Sequence, residues 1–193
     1  MNELQNNISI VFLILLFVML VSRAFILRKK GIRAVVFGKT DKRDFFLVAV
    51  FVLLIYPLAA RAFGLPMWPL LVTPFWETPA SGWVGIVFCA AALTGFAASL
   101  KAFGDSFRVG IDEEKPDKLV TTGMFAFSRN PLYLCFILFF LGMFLIHRNV
   151  MVALASVFLT LAIHRQILRE ETFLKSHYGS AYEDYCKKVR RYF

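Results

Sequence analysis

Two stretches of this chain hold side chains of the kinds that do chemistry. The first runs from Lys101 to Asn130 and into the residues that follow. It contains Gly104-Asp105-Ser106-Phe107-Arg108, the acidic run Asp112-Glu113-Glu114, then Lys118-Leu119-Val120-Thr121-Thr122-Gly123-Met124-Phe125. It closes on Ser128-Arg129-Asn130-Pro131-Leu132-Tyr133. The second opens with His164-Arg165-Gln166-Ile167-Leu168-Arg169-Glu170-Glu171 and continues to Phe193. Ionisable side chains at the end of an apolar helix either snorkel into water, where they suit the helix C-terminus, or point into the bundle and serve a function. Pro131 fits the first position of a helix, where its missing N–H costs little. Asn130 then falls at the N-cap, and Gly123 fits a tight turn or a close approach of backbone to a ligand.

On a helix with 100° between residues, Arg165, Gln166, Arg169 and Glu170 share an arc of about 140°, and His164 and Glu171 fall on the other side. Several known signatures are missing: GxGxxG, GxxxxGK[ST] and HExxH do not occur, so no Rossmann, Walker or zincin site is indicated. Cys89, Cys135 and Cys186 are far apart. They offer neither metal spacing nor a disulfide framework, and the first two read as packing residues.

The elements that must position these side chains are apolar. Of 193 residues, 59% are hydrophobic and 18% charged, 22 are Phe, and mean hydropathy is +0.65. A soluble domain has roughly 45–50% apolar and about 25% charged residues. The composition excludes a disordered or fibrous chain and argues for a polytopic membrane protein. Five apolar runs can be marked: Ile8 to Leu27, Phe45 to Phe63, Gly82 to Phe103, Pro131 to Ile146 and Val150 to about Leu168. The first does not read as a cleavable signal peptide, since no Lys or Arg precedes it and no small-residue cleavage site follows. Pro57 should kink the second. The Ala- and Gly-rich third suits close helix packing. The fourth is short for a span. Only His147, Arg148 and Asn149 separate the fourth and fifth, which predicts a tight hairpin.

Positive charge orients this set. No Lys or Arg precedes the first run, eight lie in Ser22 to Asp44, none in Gly64 to Ser81, five in Lys101 to Asn130 and seven in Arg165 to Phe193. The positive-inside rule then puts the N-terminus outside and the C-terminus in the cytoplasm. The net charge of +9 reads as cytoplasmic loops at an anionic membrane surface rather than a nucleic-acid footprint. Gly64 to Ser81, with four Pro and with Trp68 and Trp76, reads as an interfacial cap. Phe173 to Phe193 reads as an amphipathic membrane-surface helix broken at Tyr178-Gly179-Ser180.

The expected fold is therefore an all-α integral membrane protein. It has five transmembrane helices, a hairpin between the last two and a cytosolic C-terminal helical extension. Residues 1–103 would hold the first three helices and residues 104–193 the chemistry.

The order of motifs resembles a known family. A Gly-x-Ser-Phe-Arg segment is followed by Lys118 to Phe125, by Arg129-Asn130-Pro131-Leu132-Tyr133, by Glu170-Glu171-Thr172-Phe173-Leu174 and by Tyr178-Gly179-Ser180-Ala181-Tyr182-Glu183-Asp184-Tyr185. This is similar to the isoprenylcysteine carboxyl methyltransferases and, more distantly, the phospholipid N-methyltransferases, over Phe103 to Arg191. Asn130 stands where the family has His, Phe125 where it has Tyr, and Gln166, with Arg165 adjacent, where it has Arg. The usual Pro after the C-terminal basic residues is missing.

The resemblance implies an integral-membrane methyltransferase that uses S-adenosyl-L-methionine, releases S-adenosyl-L-homocysteine and needs no metal. It implies cofactor contacts at Lys118, Leu119, Val120, Phe125, Asn130, Pro131, Leu132, Tyr133 and Glu170. Arg165 or Arg169 would take the substrate-facing arginine role. Arg165, Arg169 and Glu170 are thus the expected catalytic group. The acceptor would be a prenylated cysteine entering from the bilayer among membrane lipids, with no nucleic acid involved. An amphiphile amine, as in phosphatidylethanolamine, is the alternative, for which His164 or the Glu170/Glu171 pair could serve as base.

Overall fold

The computed structural model describes residues 3–29, 52, 54–60, 63–104 and 119–192. Their regular structure is entirely helical. In chain order the helices are α1 (Glu3–Lys29), α2 (Pro69–Val72), α3 (Pro79–Phe103), a 3-10 turn (Gly123–Ala126), α4 (Pro131–His147), α5 (Val150–Tyr178) and α6 (Ser180–Lys188). Residues 54–60 are also helical. Proline stands in the first turn of α2, α3 and α4, where it has no hydrogen bond to lose. Gly104, with φ +54°, ends α3, and Gly179, with φ +52°, separates α5 from α6.

Among the described residues, α1, α3 and α5 are long and apolar enough to cross a membrane. α4 is apolar but has 17 residues, about 25 Å of rise against a hydrocarbon core of about 30 Å. The second apolar run, Phe45 to Phe63, lies largely outside the described residues. α1 is longer than the first apolar run at both ends. Arg23, Arg28 and Lys29, expected in the following loop, sit on its last two turns. Basic side chains there suit the negative end of the helix.

The core is built on α3 against α4, which run antiparallel: Gly85 meets Gly142 and Ile146, whereas Gly95 meets Cys135. A Cβ at Gly142 would stand 2.6 Å from Cys89 Sγ and 2.7 Å from the Gly85 carbonyl oxygen. The two backbones can approach this closely only because both positions lack a side chain, the usual solution where lipid supplies no hydrophobic drive between helices. Cys89 and Cys135 are buried in this seam, as expected for packing residues. Phe96 and Phe136 pack edge to face, 5.1 Å between centroids. α1 adds Leu16 and Leu27 to the same core and leaves Ile14, Phe17, Val18, Val21 and Phe25 exposed on its outer face.

The end of the bundle away from the charged segments is closed by polar contacts. Arg148 and Asn149 alone separate α4 from α5. Arg148 takes the left-handed conformation, φ +55°, and its side chain is only 1% exposed. Its guanidinium donates to the Thr78 carbonyl and to Ser81 Oγ at the start of α3. Asn149 caps α5, its side chain accepting from the Val152 N–H at 2.9 Å. Gln5 of α1 donates to the Pro79 carbonyl at 3.0 Å, and Ser9 bonds His147 at 3.1 Å. Trp68, 78% exposed beside this end, suits the headgroup level read from the sequence.

Candidate active site at the α4 start and the α5 extension

The apolar part of α5 stops at Leu168, and the helix continues to Tyr178 as a charged extension. α4 begins beside that extension. Tyr133, in the first turn of α4, donates its hydroxyl to Glu170 Oε1 at 2.5 Å. Gln166, one turn before Glu170 on the same helix, donates its amide to the same oxygen at 2.9 Å, the side-chain spacing that i and i+4 allow. Both of these bonds fall on Oε1, and among the described residues none falls on Oε2. The carboxylate is thus fixed through one of its two oxygens.

Glu171 makes a second, separate junction. Arg129 donates to its Oε1 from Nη2 at 3.0 Å and from Nε at 3.3 Å, and Asn130 Nδ2 adds a bond at 3.3 Å. Arg191 holds Oε2 with Nε at 2.9 Å and Nη2 at 2.8 Å. Burial would raise this carboxyl's pKa, but the hydrogen bonds from Arg191 and Arg129 outweigh it, and Glu171 stays ionised below the usual carboxylate range. His164, two turns earlier on the same face, bonds the Tyr192 hydroxyl. The helical wheel had separated these two residues from Glu170. The separation holds, and the far face looks onto the C-terminal tail.

The tail is built into the site. The Arg129 N–H donates to the Arg190 carbonyl at 3.0 Å, Ser128 Oγ to the Arg191 carbonyl at 3.1 Å, and Arg129 Nη1 to the Val189 carbonyl at 3.1 Å. α6 packs Tyr182, Tyr185 and Val189 against Leu119, Leu174 and Tyr178. Tyr185 also donates to the Phe125 carbonyl at 2.6 Å, and burial pushes its hydroxyl up to about 12. The surface-helix expectation for Phe173 to Phe193 is therefore corrected. An amphipathic stripe records only that one face avoids water, and here that face meets protein. Asn130 holds the N-cap position of α4 as expected, but makes no side-chain cap bond; its Nδ2 donates to Glu171 and to the Arg191 carbonyl.

The structure thus brings Tyr133 and Glu170 together, with Asn130 and Pro131 buried beside them. Leu132 packs toward the bundle core. Leu119 faces α6, and Val120 is half-buried. Phe125 turns its ring onto Phe103, 4.9 Å between centroids. Lys118 lies outside the described residues. Arg165 is exposed and Arg169 half-buried, while the side chain that reaches Glu170 is Gln166. Gln166, Arg129 and Arg191 are the site residues that sequence reasoning left out. The spacing of four between Gln166 and Glu170 was the one signal available. Arg129 and Arg191 reach Glu171 across 42 and 20 residues of chain, and no periodicity reports that.

The arrangement can hold a water-soluble ligand at the edge of the apolar bundle. Among the described residues no side chain caps the N–H groups of Leu132 and Tyr133 at the start of α4, a place that suits a carboxylate, and Glu170 beside them suits an ammonium or hydroxyl. These groups match the amino-acid and ribose parts of S-adenosylmethionine.

Comparison with known proteins points the same way. A family model described as phospholipid methyltransferase matches residues 80–181. The protein-S-isoprenylcysteine O-methyltransferase of Schizosaccharomyces pombe is 37% identical over 89 residues, which cover 45% of this chain and 38% of that protein. The aligned segment is thus well under half of the relative's length.

Proposed function

The chain belongs to the phospholipid methyltransferase family, and from that premise we propose that it is an S-adenosylmethionine-dependent carboxyl O-methyltransferase for C-terminal prenylated cysteine. The N-terminus lies outside and the site faces the cytosol, with the last two spans joined at Arg148 and Asn149. The observation that carries the reading is where the polar groups meet: Tyr133, Gln166 and Glu170 converge at the level of Leu168, where the apolar stretch of α5 ends, with Gln166 two residues before it and Glu170 two residues after. A soluble cofactor and an amphiphile's head group can both reach that level. The name of the yeast relative supports a prenylcysteine acceptor.

Bound there, the cofactor supplies an electrophilic methyl group on a sulfonium. Glu170 holds its ammonium or ribose hydroxyls, and the first-turn amides of α4 hold its carboxylate. Leu119 and Val120 border it from the segment before α4. An acceptor α-carboxyl has a pKa of about 3.3–3.7 and arrives ionised, so the chain need supply no base. Its work is in-line positioning and exclusion of water from the nucleophile. Arg165 or Arg169 steadies the carboxylate by a two-pronged contact.

A second reading has its own observation. The charge at the centre of the site is a carboxylate, with Gln166 beside it in place of a cation. That suits a cationic head group and so an amine acceptor. Methyl transfer measured side by side on a farnesylcysteine analogue and on phosphatidylethanolamine separates the two. We expect the farnesylcysteine analogue to be methylated; transfer to the amine alone would overturn the carboxyl reading. No thermal stabilisation by saturating S-adenosylhomocysteine would overturn both. With the carboxyl acceptor, Arg165→Ala or Arg169→Ala should raise KM for the prenylcysteine and lower turnover, leaving cofactor affinity nearly unchanged. Lysine at the same position should restore only part, since a point charge cannot reproduce the planar fork. Wild-type kinetics in both single variants and in the double variant would rule out the clamp.

A further inference from the structure

Resting on the methyltransferase reading, we propose that Arg191 is a positioning residue and the C-terminal tail a working part of the site. By gripping Glu171, Arg191 fixes the α5 extension against the start of α4, and so sets Glu170 against Tyr133.

Glu171 and Glu170 are adjacent, on a rigid helix, and face different partners. Among the described residues Glu170 has hydrogen bonds on one oxygen only, while Glu171 has both oxygens engaged by four hydrogen bonds and a further ion-pair contact. A carboxylate so fully engaged has no acceptor left for a ligand, yet any shift in it carries Glu170 along. Its three partners come from both sides. Arg129 and Asn130 belong to the segment that leads into Tyr133, and Arg191 belongs to the tail. The tail is itself tied to that segment through the Val189, Arg190 and Arg191 carbonyls, which accept from Arg129, Ser128 and Asn130. Tail, α4 start and α5 extension therefore close a ring in which Arg191 is the link from the tail to α5. His164 with Tyr192 is a parallel tie, two turns nearer the membrane.

The other charged or titratable groups around Glu171 are Tyr182 of α6, Tyr192 of the tail, and Glu170 and Lys175 on its own helix. None of them can replace the fork that Arg191 puts on Oε2. A carboxyl whose folded-state pKa lies below its ordinary value adds stability at neutral pH, and that stability is lost as pH falls through the lowered value. Without Arg191, Glu171 takes up its proton at higher pH.

The test uses the full-length chain in detergent or nanodiscs, with Arg191→Ala, Arg191→Lys and a deletion of Arg191–Phe193. The alanine variant and the deletion should lower kcat/KM by about tenfold or more, the range expected when a site is displaced by a fraction of an ångström to 1 Å. Lysine should recover part of it. The acid limb of the pH–rate profile should move to higher pH in the alanine variant. Without any ligand, the Arg129 amide should exchange hydrogen faster, because its acceptor is the Arg190 carbonyl. Unfolding temperature should change little, because the Arg191 side chain is 38% exposed. Wild-type kinetics in Arg191→Ala or in the deletion overturns the proposal. So does an activity loss that merely tracks a lower unfolding temperature with the acid limb unmoved. An inactive wild-type protein that does not bind S-adenosylhomocysteine would instead refute the methyltransferase reading itself.

Discussion

Glu170→Ala should cost the protein its cofactor affinity while leaving it folded and inserted. In the free protein, Glu170 Oε1 is the acceptor for both Tyr133 and Gln166, and among the described residues Oε2 is the one carboxylate oxygen of the Glu170–Glu171 pair without a hydrogen bond. Losing a hydrogen bond to a charged group typically costs about 1.5–3 kcal/mol, or roughly 10- to 150-fold in affinity. The variant also strands the Tyr133 hydroxyl half-buried, so the loss should sit at the upper end. The fold does not depend on this carboxylate. α4 and α5 are held elsewhere by the Ser156 bond to the Phe140 carbonyl and by the Glu171 junction. Glu170→Gln separates the two contributions, since it keeps an acceptor for Tyr133 but removes the charge. If charge on the ammonium matters most, Gln should bind S-adenosylhomocysteine nearly as poorly as Ala. Tyr133→Phe should weaken binding less than either, because it removes only the group that orients the carboxylate. The measurement is calorimetric or thermal-shift titration with S-adenosylhomocysteine. Near-normal affinity in Glu170→Ala would return Glu170 to the class of charges that merely trail a helix out of the membrane.

How much of this was legible before the structure follows from the range of each interaction. Apolar runs are local, so α3 and α4 could be marked on the sequence to within three residues, whereas α1 begins five residues before its apolar run and α5 continues ten residues beyond its own. The break at Gly179 was equally local, since a glycine between two helical patterns supplies the positive φ that a chain reversal needs. Small residues in Gly82 to Phe103 announced close packing, and Gly85 and Cys89 show it. The pairing of Tyr133 with Glu170 was reachable only through the family resemblance, because 37 residues separate them. What escaped was direction. The wheel put Arg165 on the Glu170 arc, but a helix at a membrane boundary gives no sign of which part of an arc faces a neighbour. The structure turns Gln166 inward and leaves Arg165 exposed. The tail was misread for the same reason, because lipid and protein select the same amphipathic stripe. Asn130 was placed correctly at the start of α4, but the charged acceptor of its Nδ2 lies 41 residues away, beyond the reach of any local signal.

Gly142→Ala should produce a large structural effect for the addition of a single methyl group. The added Cβ would lie 2.6 Å from Cys89 Sγ, 2.7 Å from the Gly85 carbonyl oxygen and 3.0 Å from the Cys89 amide nitrogen. Two of those three atoms are backbone, so no rotamer change relieves the contact, and α3 must move away from α4. Overpacking of a well-filled interior costs about 1–3 kcal/mol, and here the price extends along the seam. Cys89, Phe139, Phe96 and Phe136 all lie between the same two helices, and a wider spacing loosens each of them. For a chain of this size the unfolding temperature should fall by roughly 2–4 °C per kcal/mol. Leu141→Ala, one residue away but 44% exposed, should change it far less. Tyr133 lies nine residues from Gly142, about 13 Å along α4, so the site should be affected through the tilt of α4 rather than by contact. S-adenosylhomocysteine affinity should therefore fall much less in Gly142→Ala than in Glu170→Ala, while stability falls much more. If Gly142→Ala matched the wild type in unfolding temperature, the backbone contact between α3 and α4 would not be what holds the bundle together, and the tilt of α4 would have to be set from its other side by α5.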